Sequence, residues 1–354
     1  MRSRLLLFCL IPHFFTPAIA EKLNEDMVGA EHPLTESMTA SDATDTVTTD
    51  TPDECLLKSL KAAENSATAE DIRLLCAPNT AQAEPLESRN YLEEKNTANK
   101  FAITPHKPNY FLPLSNNSHP NSRPYIQDGN TEQLDRTEFL FQLSMKVAIW
   151  EKVLGHRSNL FLAYTNRSWW QAYNKGVSSP FRESNHEPEM FLSLEPHWSL
   201  GSWQANSFTV GISHQSNGRS LPLSRSWDRL YLSAGVEKNN WVITLKPWYR
   251  IPEGNKDSPS DTSGDDNPDI EFYMGNFELL VGKRSGNQNI SALIRNNLRS
   301  DNRGAIQLDW SFPLWETTKL RGYVQYFNGY GESLIDYNAR SNRISVGVIM
   351  TEWF

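Results

Sequence analysis

Alternating apolar and polar residues dominate the second half of the chain. The longest regular run begins at Thr137, and its apolar members are Phe139, Phe141, Leu143, Met145, Val147 and Ile149. Successive side chains of a β-strand point to opposite faces, so this period of two predicts a strand and argues against a helix. Comparable segments follow near 158–172, 188–198, 204–216, 226–237, 240–251, 270–283, 287–298, 304–312, 317–329 and 343–354. With a weaker segment at 333–338, the pattern predicts about twelve strands.

The joints between these strands also alternate in length. Short joints such as 201–202 and 286–287 contrast with long ones such as 217–225 and 252–269. Short turns at one rim and long loops at the other are typical of bacterial outer-membrane barrels, in which only every second strand residue faces lipid. A mean hydropathy of −0.55 is therefore compatible with a membrane protein. We predict an all-β fold, a twelve-stranded antiparallel transmembrane β-barrel over 136–354; the alternative is a β-sandwich whose aromatic residues fill its core.

The first part of the chain has the features of an export signal and an unstructured extension. Residues 1–20 combine a basic start, a short apolar core and a small-residue cleavage site, which predicts a secretory signal peptide. Residues 21–54 are acidic and low in complexity, with ten carboxylates against Lys22 alone, and we expect them to be disordered.

Two further segments separate this extension from the barrel. Residues 55–76 have two short helical patterns between Cys55 and Cys76, which a disulfide could join in an oxidising compartment. Residues 77–135 are rich in Asn, Pro and Ser and have no sustained period, so we expect a linker with irregular segments. The whole N-terminal extension is expected in the periplasm.

Composition removes support for several chemistries. The formal net charge is −8, and we expect no nucleic-acid partner. No CxxC or HExxH spacing occurs, which argues against zinc and thiol-redox chemistry.

Two neighbouring segments bring candidate catalytic residues to the end of one apolar stripe. If 204–216 and 226–237 pair as antiparallel strands with His214 opposite Asp228, the apolar residues of both strands also align. The resulting pairs are Ile212 with Leu230, Val210 with Leu232, and Phe208 with Ala234. Ser216 then joins His214 and Asp228, giving a nucleophile, a base and an orienting carboxylate. His-x-Ser alone is a weak signal, but ionisable groups at the end of a lipid-facing stripe are costly and need a reason.

Several longer motifs resemble the outer-membrane phospholipase A family of Gram-negative bacteria. They are Ser168-Trp-Trp-Gln171, Ser178-Ser-Pro-Phe-Arg-Glu183, His214-Gln-Ser-Asn-Gly-Arg-Ser220, Ser224-Arg-Ser-Trp-Asp-Arg-Leu-Tyr231, Lys246-Pro-Trp-Tyr249, Asp265-Asp-Asn-Pro-Asp269 and Gly329-Tyr-Gly-Glu-Ser-Leu-Ile-Asp-Tyr-Asn338. The resemblance covers roughly 137–354. It implies a twelve-stranded barrel whose active site lies on the outer face, at the level of the outer leaflet.

The resemblance also implies roles for individual residues. Ser216 would be the nucleophile and His214 the general base, with the backbone N–H of Gly218 and a calcium-bound water serving the oxyanion. The third member in the best-known form of the family is Asn, whereas this chain has Asp228. A Ser-His-Asp set is chemically competent and should stabilise the imidazolium more strongly.

Calcium and a dimer enter through the same resemblance. The implied ligands are the carbonyl of Arg219, the hydroxyl of Ser224 and the carbonyl of the partner subunit's Ser178, while Asp266 matches a second calcium site of the monomer. Oxygen donors of this kind suit a hard cation. Asn166 stands where the family has a Gln that contributes to dimer contacts.

The sequence therefore predicts a calcium-dependent outer-membrane phospholipase that is active as a homodimer. It would hydrolyse acyl esters at the A1 and A2 positions of glycerophospholipids, and also lysophospholipids. One alternative is a non-catalytic porin or adhesin, since polar inward residues could line a pore or a packed lumen; these are Gln142, Ser144, Lys146, Thr244, Lys246 and Arg250. Another is a homologue whose activity is altered by Asp228.

Overall fold

The structure is a computed structural model, and it describes residues 83–97, 99, 102–127, 134–155, 157–177, 179–258, 260–315 and 320–354. The predicted signal peptide, acidic segment and Cys55–Cys76 hairpin lie outside the described residues, as does Ser178. What was predicted for these segments and for Ser178 therefore remains a prediction.

Strands make up most of the described chain. In order they are β1 Thr104–Pro105, β2 Asn109–Asn117, β3 Thr137–Glu151, β4 Ser158–Trp170, β5 Phe181–Leu194, β6 Trp198–Leu200, β7 Trp203–Ser216, β8 Ser226–Lys238, β9 Trp241–Ile251, β10 Phe277–Ser285, β11 Gln288–Asn296, β12 Gly304–Pro313, β13 Arg321–Tyr330 and β14 Arg340–Thr351. Twelve of these described strands, β2–β5 and β7–β14, form a closed antiparallel barrel that β2 completes by pairing with both β3 and β14. The short strands β1 and β6 pair with β3 and β7. The predicted twelve-stranded barrel is confirmed.

The described helices are few and short. They are α1 Pro85–Thr97, α2 Arg123–Gln127 and α3 Ile270–Met274, with one 3₁₀ turn at Lys175–Val177. In the ranges given above, no helix has the length and apolar character needed to cross a bilayer.

The total of twelve strands is correct, but two of the assignments behind it are wrong. The weaker segment at 333–338 forms turns, whereas β2 lies inside 77–135, where we expected a linker. Pro113 interrupts the pattern of β2, and the register of β2 shifts against β3 between Leu112 and Ser115. Proline cannot donate to a strand ladder, and a bulge breaks the period of two, so the alternation was hidden. The start of segment 270–283 was also wrong, because α3 occupies it.

The two faces of the barrel have inverted polarity. Large apolar side chains are exposed on the outside, among them Leu162, Met190, Ile212, Leu230, Leu232, Leu245, Leu308, Ile344, Val346 and Met350. Polar side chains predicted to point inward are buried, including Gln142, Ser144, Lys146 and Arg250. This arrangement is that of a transmembrane barrel and not of a sandwich with an apolar core.

Ion pairs cross the lumen and tie distant strands together. Arg343 on β14 contacts Glu138 on β3 at 2.9 Å and Glu332 at 2.7 Å. Arg182 on β5 contacts the same Glu138 at 2.6 Å and Asp336 at 2.6 Å. We call these five residues the lumen network. Because each ion is paired in a site shielded from water, the network can hold charges that would otherwise be costly to bury.

Helix α1 docks against the end of the barrel that carries the short turns. Buried Glu237 of β8 accepts the backbone N–H groups of Leu86 and Glu87 at 2.6 and 3.0 Å. Glu93 pairs with buried Lys146 of β3 at 2.6 Å. A carboxylate at the first turn of a helix satisfies N–H groups that have no partner within the helix.

Candidate functional site

Strands β7 and β8 pair in the predicted register. His214 lies opposite Asp228, and the pairs Ile212–Leu230, Val210–Leu232 and Phe208–Ala234 all form. Ile212, Leu230 and Leu232 are exposed on the outer face of the barrel. The apolar stripe therefore ends at the histidine and the aspartate, next to the long β7–β8 loop.

His214 and Asp228 form a direct pair on this outer face. Nδ1 of His214 lies 2.7 Å from Oδ1 of Asp228, and their side chains are 49% and 42% exposed. An ionised carboxylate only accepts hydrogen bonds, so Nδ1 of His214 carries the proton. The other ring nitrogen, Nε2, then has a lone pair available to accept a proton from a hydroxyl.

Ser216 ends β7 beside this pair. Its neighbours across the sheet are Ser226 on β8 and His186 on β5. Among the described residues, its hydroxyl forms no hydrogen bond with His214, although both side chains belong to the same face of the strand. Catalytic hydrogen bonds are often long without substrate and tighten when it binds, so this geometry is compatible with a nucleophile and its base.

The β7–β8 loop turns sharply at Gly218. Its φ of 63° lies in the left-handed region, which favours glycine. Buried Asn217 fixes the turn, because its Oδ1 accepts the N–H of Arg225 at 3.0 Å and its Nδ2 donates to the carbonyl of Leu223 at 2.8 Å. In the described part of the chain, the N–H of Gly218 has no recorded partner. It is therefore a free donor close to Ser216.

The residues expected to bind calcium lie partly together. The hydroxyl of Ser224 donates to Asp266, and Lys256 pairs with the same carboxylate. Burial, and next the charge of Asp265, raise the pKa of nearby Glu253. Within the described residues no three His, Cys, Asp or Glu side chains form a metal cluster, so a cation here would also need hydroxyl and carbonyl oxygens.

Arg219, whose carbonyl is another expected calcium ligand, is held in place by its own side chain. Its guanidinium donates to the carbonyl of Arg182 at 2.6 Å and pairs with buried Glu183 at 3.5 Å. These oxygen donors fit a hard cation better than a transition metal.

Asn166 lies on the outward face of β4. This strand neighbours β5 on the side away from β7, which carries Ser216. Its Oδ1 accepts the hydroxyl of Ser168 at 2.9 Å, and its Nδ2 is 3.4 Å from Nδ1 of His186. An amide on the lipid-facing surface of a barrel is available for a contact with a second subunit.

The sequence analysis missed His186, which is the cross-strand neighbour of Ser216. It shares the outward face of β5 with Pro188 and Met190, so its orientation follows from the alternation of that strand. Its position beside Ser216 depends on the pairing of β5 with β7, which skips β6. Alternation alone does not reveal that pairing.

A closed barrel with a His–Asp pair and a serine on its lipid-facing side defines the class of a membrane-embedded hydrolase. The phospholipase A1 family model matches residues 86–350. Phospholipase A1 from Salmonella typhimurium is 39% identical over 265 residues, which cover 75% of this chain and 86% of that protein. Phospholipase A1 from Escherichia coli K12 has the same identity and coverage.

Solved structures agree. Outer membrane phospholipase A from Escherichia coli has a TM-score of 0.65 at 39% identity, covering 72% of this chain and 100% of that chain. A Salmonella typhi outer membrane phospholipase dimer with bound calcium has a TM-score of 0.67 at 38% identity, covering 73% of this chain and 97% of that chain. The chain belongs to the phospholipase A1 family and has the β-barrel fold of its outer-membrane members.

Proposed function

We propose that this chain is a calcium-dependent outer-membrane phospholipase that hydrolyses acyl esters of glycerophospholipids from the outer face of its barrel. The observation that carries the proposal is the His214–Asp228 pair at 2.7 Å, located where the lipid-facing stripe meets the long loops. A phospholipid ester bond lies at this level of a bilayer, between acyl chains and head group. The substrate therefore reaches the site from the membrane itself.

The proposed mechanism follows from the proton positions. Asp228 keeps the proton of His214 on Nδ1, so Nε2 can take the proton of the Ser216 hydroxyl as its oxygen attacks the ester carbonyl. The N–H of Gly218 donates to the oxygen that becomes negative. Nε2 then protonates the departing lysolipid oxygen, and water, activated by the same nitrogen, releases the fatty acid from Ser216.

Calcium binding is part of the proposal. The carbonyl of Arg219, the hydroxyl of Ser224 and the carboxylate of Asp266 would hold the ion, together with the carbonyl of the partner subunit's Ser178 in a homodimer. Calcium would supply positive charge near the developing oxyanion. The Salmonella typhi dimer with bound calcium supports this proposal by similarity. Asn166 would contribute to the subunit contact.

Two further parts of the proposal rest on the family resemblance alone. We propose that hydrolysis extends to the A2 position and to lysophospholipids, which fatty-acid analysis with position-labelled substrates would test. We also propose that the N-terminal extension is periplasmic.

A pore function has less support. The candidate reactive groups face outward, whereas the lumen holds buried ion pairs and leaves a cavity of about 300 Å³ lined by charges of both signs. A porin would have its functional groups inside.

The test is hydrolysis of phospholipid–detergent mixed micelles by the purified, heat-modifiable barrel. Ser216→Ala and His214→Ala should each reduce the rate by about 10⁴-fold or more without loss of folding, because such groups act as one unit. A chelator should abolish turnover by the wild type, and Ser224→Ala should raise the calcium needed. Comparable activity in Ser216→Ala would refute the nucleophile assignment, and full activity in chelator would refute the metal requirement. No activity in the folded wild type would favour the altered homologue.

A further inference from the structure

A second histidine lies beside the proposed nucleophile and belongs to no part of the mechanism above. Half-buried His186 is the partner of Ser216 across the β5–β7 ladder. On its other side it faces Asn166 of β4. Residues directly opposite each other on neighbouring strands have Cα atoms about 4.5–5.5 Å apart. His186 is therefore within reach of a substrate held at Ser216.

The hydrogen bonds of His186 fix its tautomer. The hydroxyl of Tyr164 lies 2.6 Å from Nδ1, and the amide nitrogen of Asn166 approaches the same atom at 3.4 Å. The Asn166 amide is oriented by the Ser168 hydroxyl, which donates to its oxygen at 2.9 Å. An amide nitrogen only donates, so Nδ1 of His186 is the acceptor and the proton of the neutral ring is on Nε2.

The ring edge that includes Nε2 lies near Gly218. The adjacent ring carbon, Cδ2, is 3.9 Å from where a side chain on Gly218 would begin. Across the described ranges, neither Nε2 of His186 nor the N–H of Gly218 has a recorded hydrogen-bond partner. A side-chain donor and a backbone donor thus both lie near Ser216, because His186 is its cross-strand partner and Gly218 follows it by two residues.

We propose that His186 is a further catalytic residue, whose Nε2–H donates with the Gly218 N–H to the oxyanion formed when Ser216 attacks the ester. Tyr164 is its positioning residue, because its hydroxyl keeps Nδ1 occupied. The imidazole keeps its proton throughout; the hydrogen bond strengthens as the carbonyl oxygen becomes negative and weakens when the intermediate collapses. This inference rests on the proposed function.

The test separates this role from packing and from head-group binding. His186→Phe keeps a ring beside Tyr164 but has no donor, whereas His186→Gln can present an amide N–H near the position of Nε2. Loss of one oxyanion donor costs about 10²-fold in kcat. We expect that loss in His186→Phe, with KM nearly unchanged, on both phospholipid micelles and a fatty-acid p-nitrophenyl ester. His186→Gln should regain much of kcat, and Tyr164→Phe should lose less than His186→Phe.

The matched control is His119→Phe, an exposed histidine outside the site that is bonded to its neighbour Ser118. Unchanged kcat in folded His186→Phe would overturn the proposal. So would a rise in KM confined to phospholipids, which would indicate contact with the head-group phosphate. Equal losses in the Phe and Gln variants, with less dimer on cross-linking, would assign His186 to the subunit contact instead. Inactive wild-type protein would refute the proposed function itself, before any variant is compared.

Discussion

Two ion pairs of equal length occupy opposite environments in this barrel. On the outer face, His214 and Asp228 are 2.7 Å apart with side chains 49% and 42% exposed. In the lumen, Arg343 and Glu332 are 2.7 Å apart with side chains 1% and 0% exposed. The outer pair is accessible to an incoming hydroxyl, whereas the inner pair is shielded from solvent. In the proposed mechanism the outer pair serves catalysis, whereas the inner pair holds strands of the barrel together.

The energetic consequences differ as well. An exposed pair contributes about 0–1 kcal/mol to folding, because water screens both charges. Removing one partner of a buried pair costs about 3–5 kcal/mol, because the remaining charge has neither water nor a counter-ion. Substitutions at the outer site should therefore affect rate and leave stability almost unchanged, while substitutions in the lumen network should do the reverse.

The largest effect on stability is expected from Arg343→Met. It leaves buried Glu332 without its ion-pair partner among the described residues, while Glu138 keeps its pair with Arg182. The free energy of unfolding in detergent, measured by urea titration, should fall by about 3–5 kcal/mol, with little change in the hydrolysis rate per folded molecule. The control is Arg340→Met, whose exposed guanidinium bonds only Asn328 among the described residues. Equal losses in the two variants would show that burial does not set the difference.

At the outer site, two substitutions of Asp228 test whether the pair affects the rate and not the stability. Asp228→Asn should retain activity within about tenfold, because its amide oxygen can still accept the Nδ1–H of His214. Asp228→Ala should lose about 10²-fold, because nothing then fixes the ring. Both variants should unfold within about 1 kcal/mol of the wild type. If Asn and Ala prove equally harmless in the micelle assay, Asp228 is not the third catalytic member.

The sequence sufficed for the β7–β8 site because its information is local. The period of two and the aligned apolar stripes define a single register, and only nine residues separate the two strands. His186 could not be placed in the same way. It reaches Ser216 through β5 and β7, and the irregular stretch that contains β6 lies between them. A register across such a connection depends on backbone pairing that alternation does not encode.

Strand β2 and helix α1 could not be predicted from the sequence, for related reasons. Pro113 and a bulge hide the alternation of β2, although the strand is needed to close the barrel. Helix α1 has no marked apolar face of its own, and its partner Glu237 is about 150 residues away in sequence. The helix is stabilised by barrel groups that a local pattern cannot reveal.

The docking of α1 changes what a truncation should do. A deletion that reaches into this helix takes away Glu93 and the N–H groups that Glu237 binds. Removing 21–97 should lower the free energy of unfolding by about 1–3 kcal/mol, because buried Lys146 and Glu237 lose partners. Removing only 21–82 affects none of these contacts and is the control. In the longer deletion, Lys146→Met should recover part of the lost free energy of unfolding. Equal stability of the two deletions would show that α1 does not support the barrel.

The smallest expected effect concerns the loop that we propose for calcium. Lys256 places an ammonium group on Asp266, so it competes with any cation that uses this carboxylate. Both side chains are partly shielded, at 14% and 12% exposed, and such a pair near the surface contributes about 1 kcal/mol or less. Lys256→Gln should therefore tighten calcium binding by about two- to fivefold, measured by calorimetric titration of the detergent-solubilised protein. The control is Lys283→Gln, since Lys283 lies over Trp241 near the opposite rim. If the Kd is unchanged in Lys256→Gln but Asp266→Asn weakens binding, the lysine leaves the carboxylate before calcium arrives. If the Kd is unchanged in both variants, Asp266 is not one of the calcium ligands.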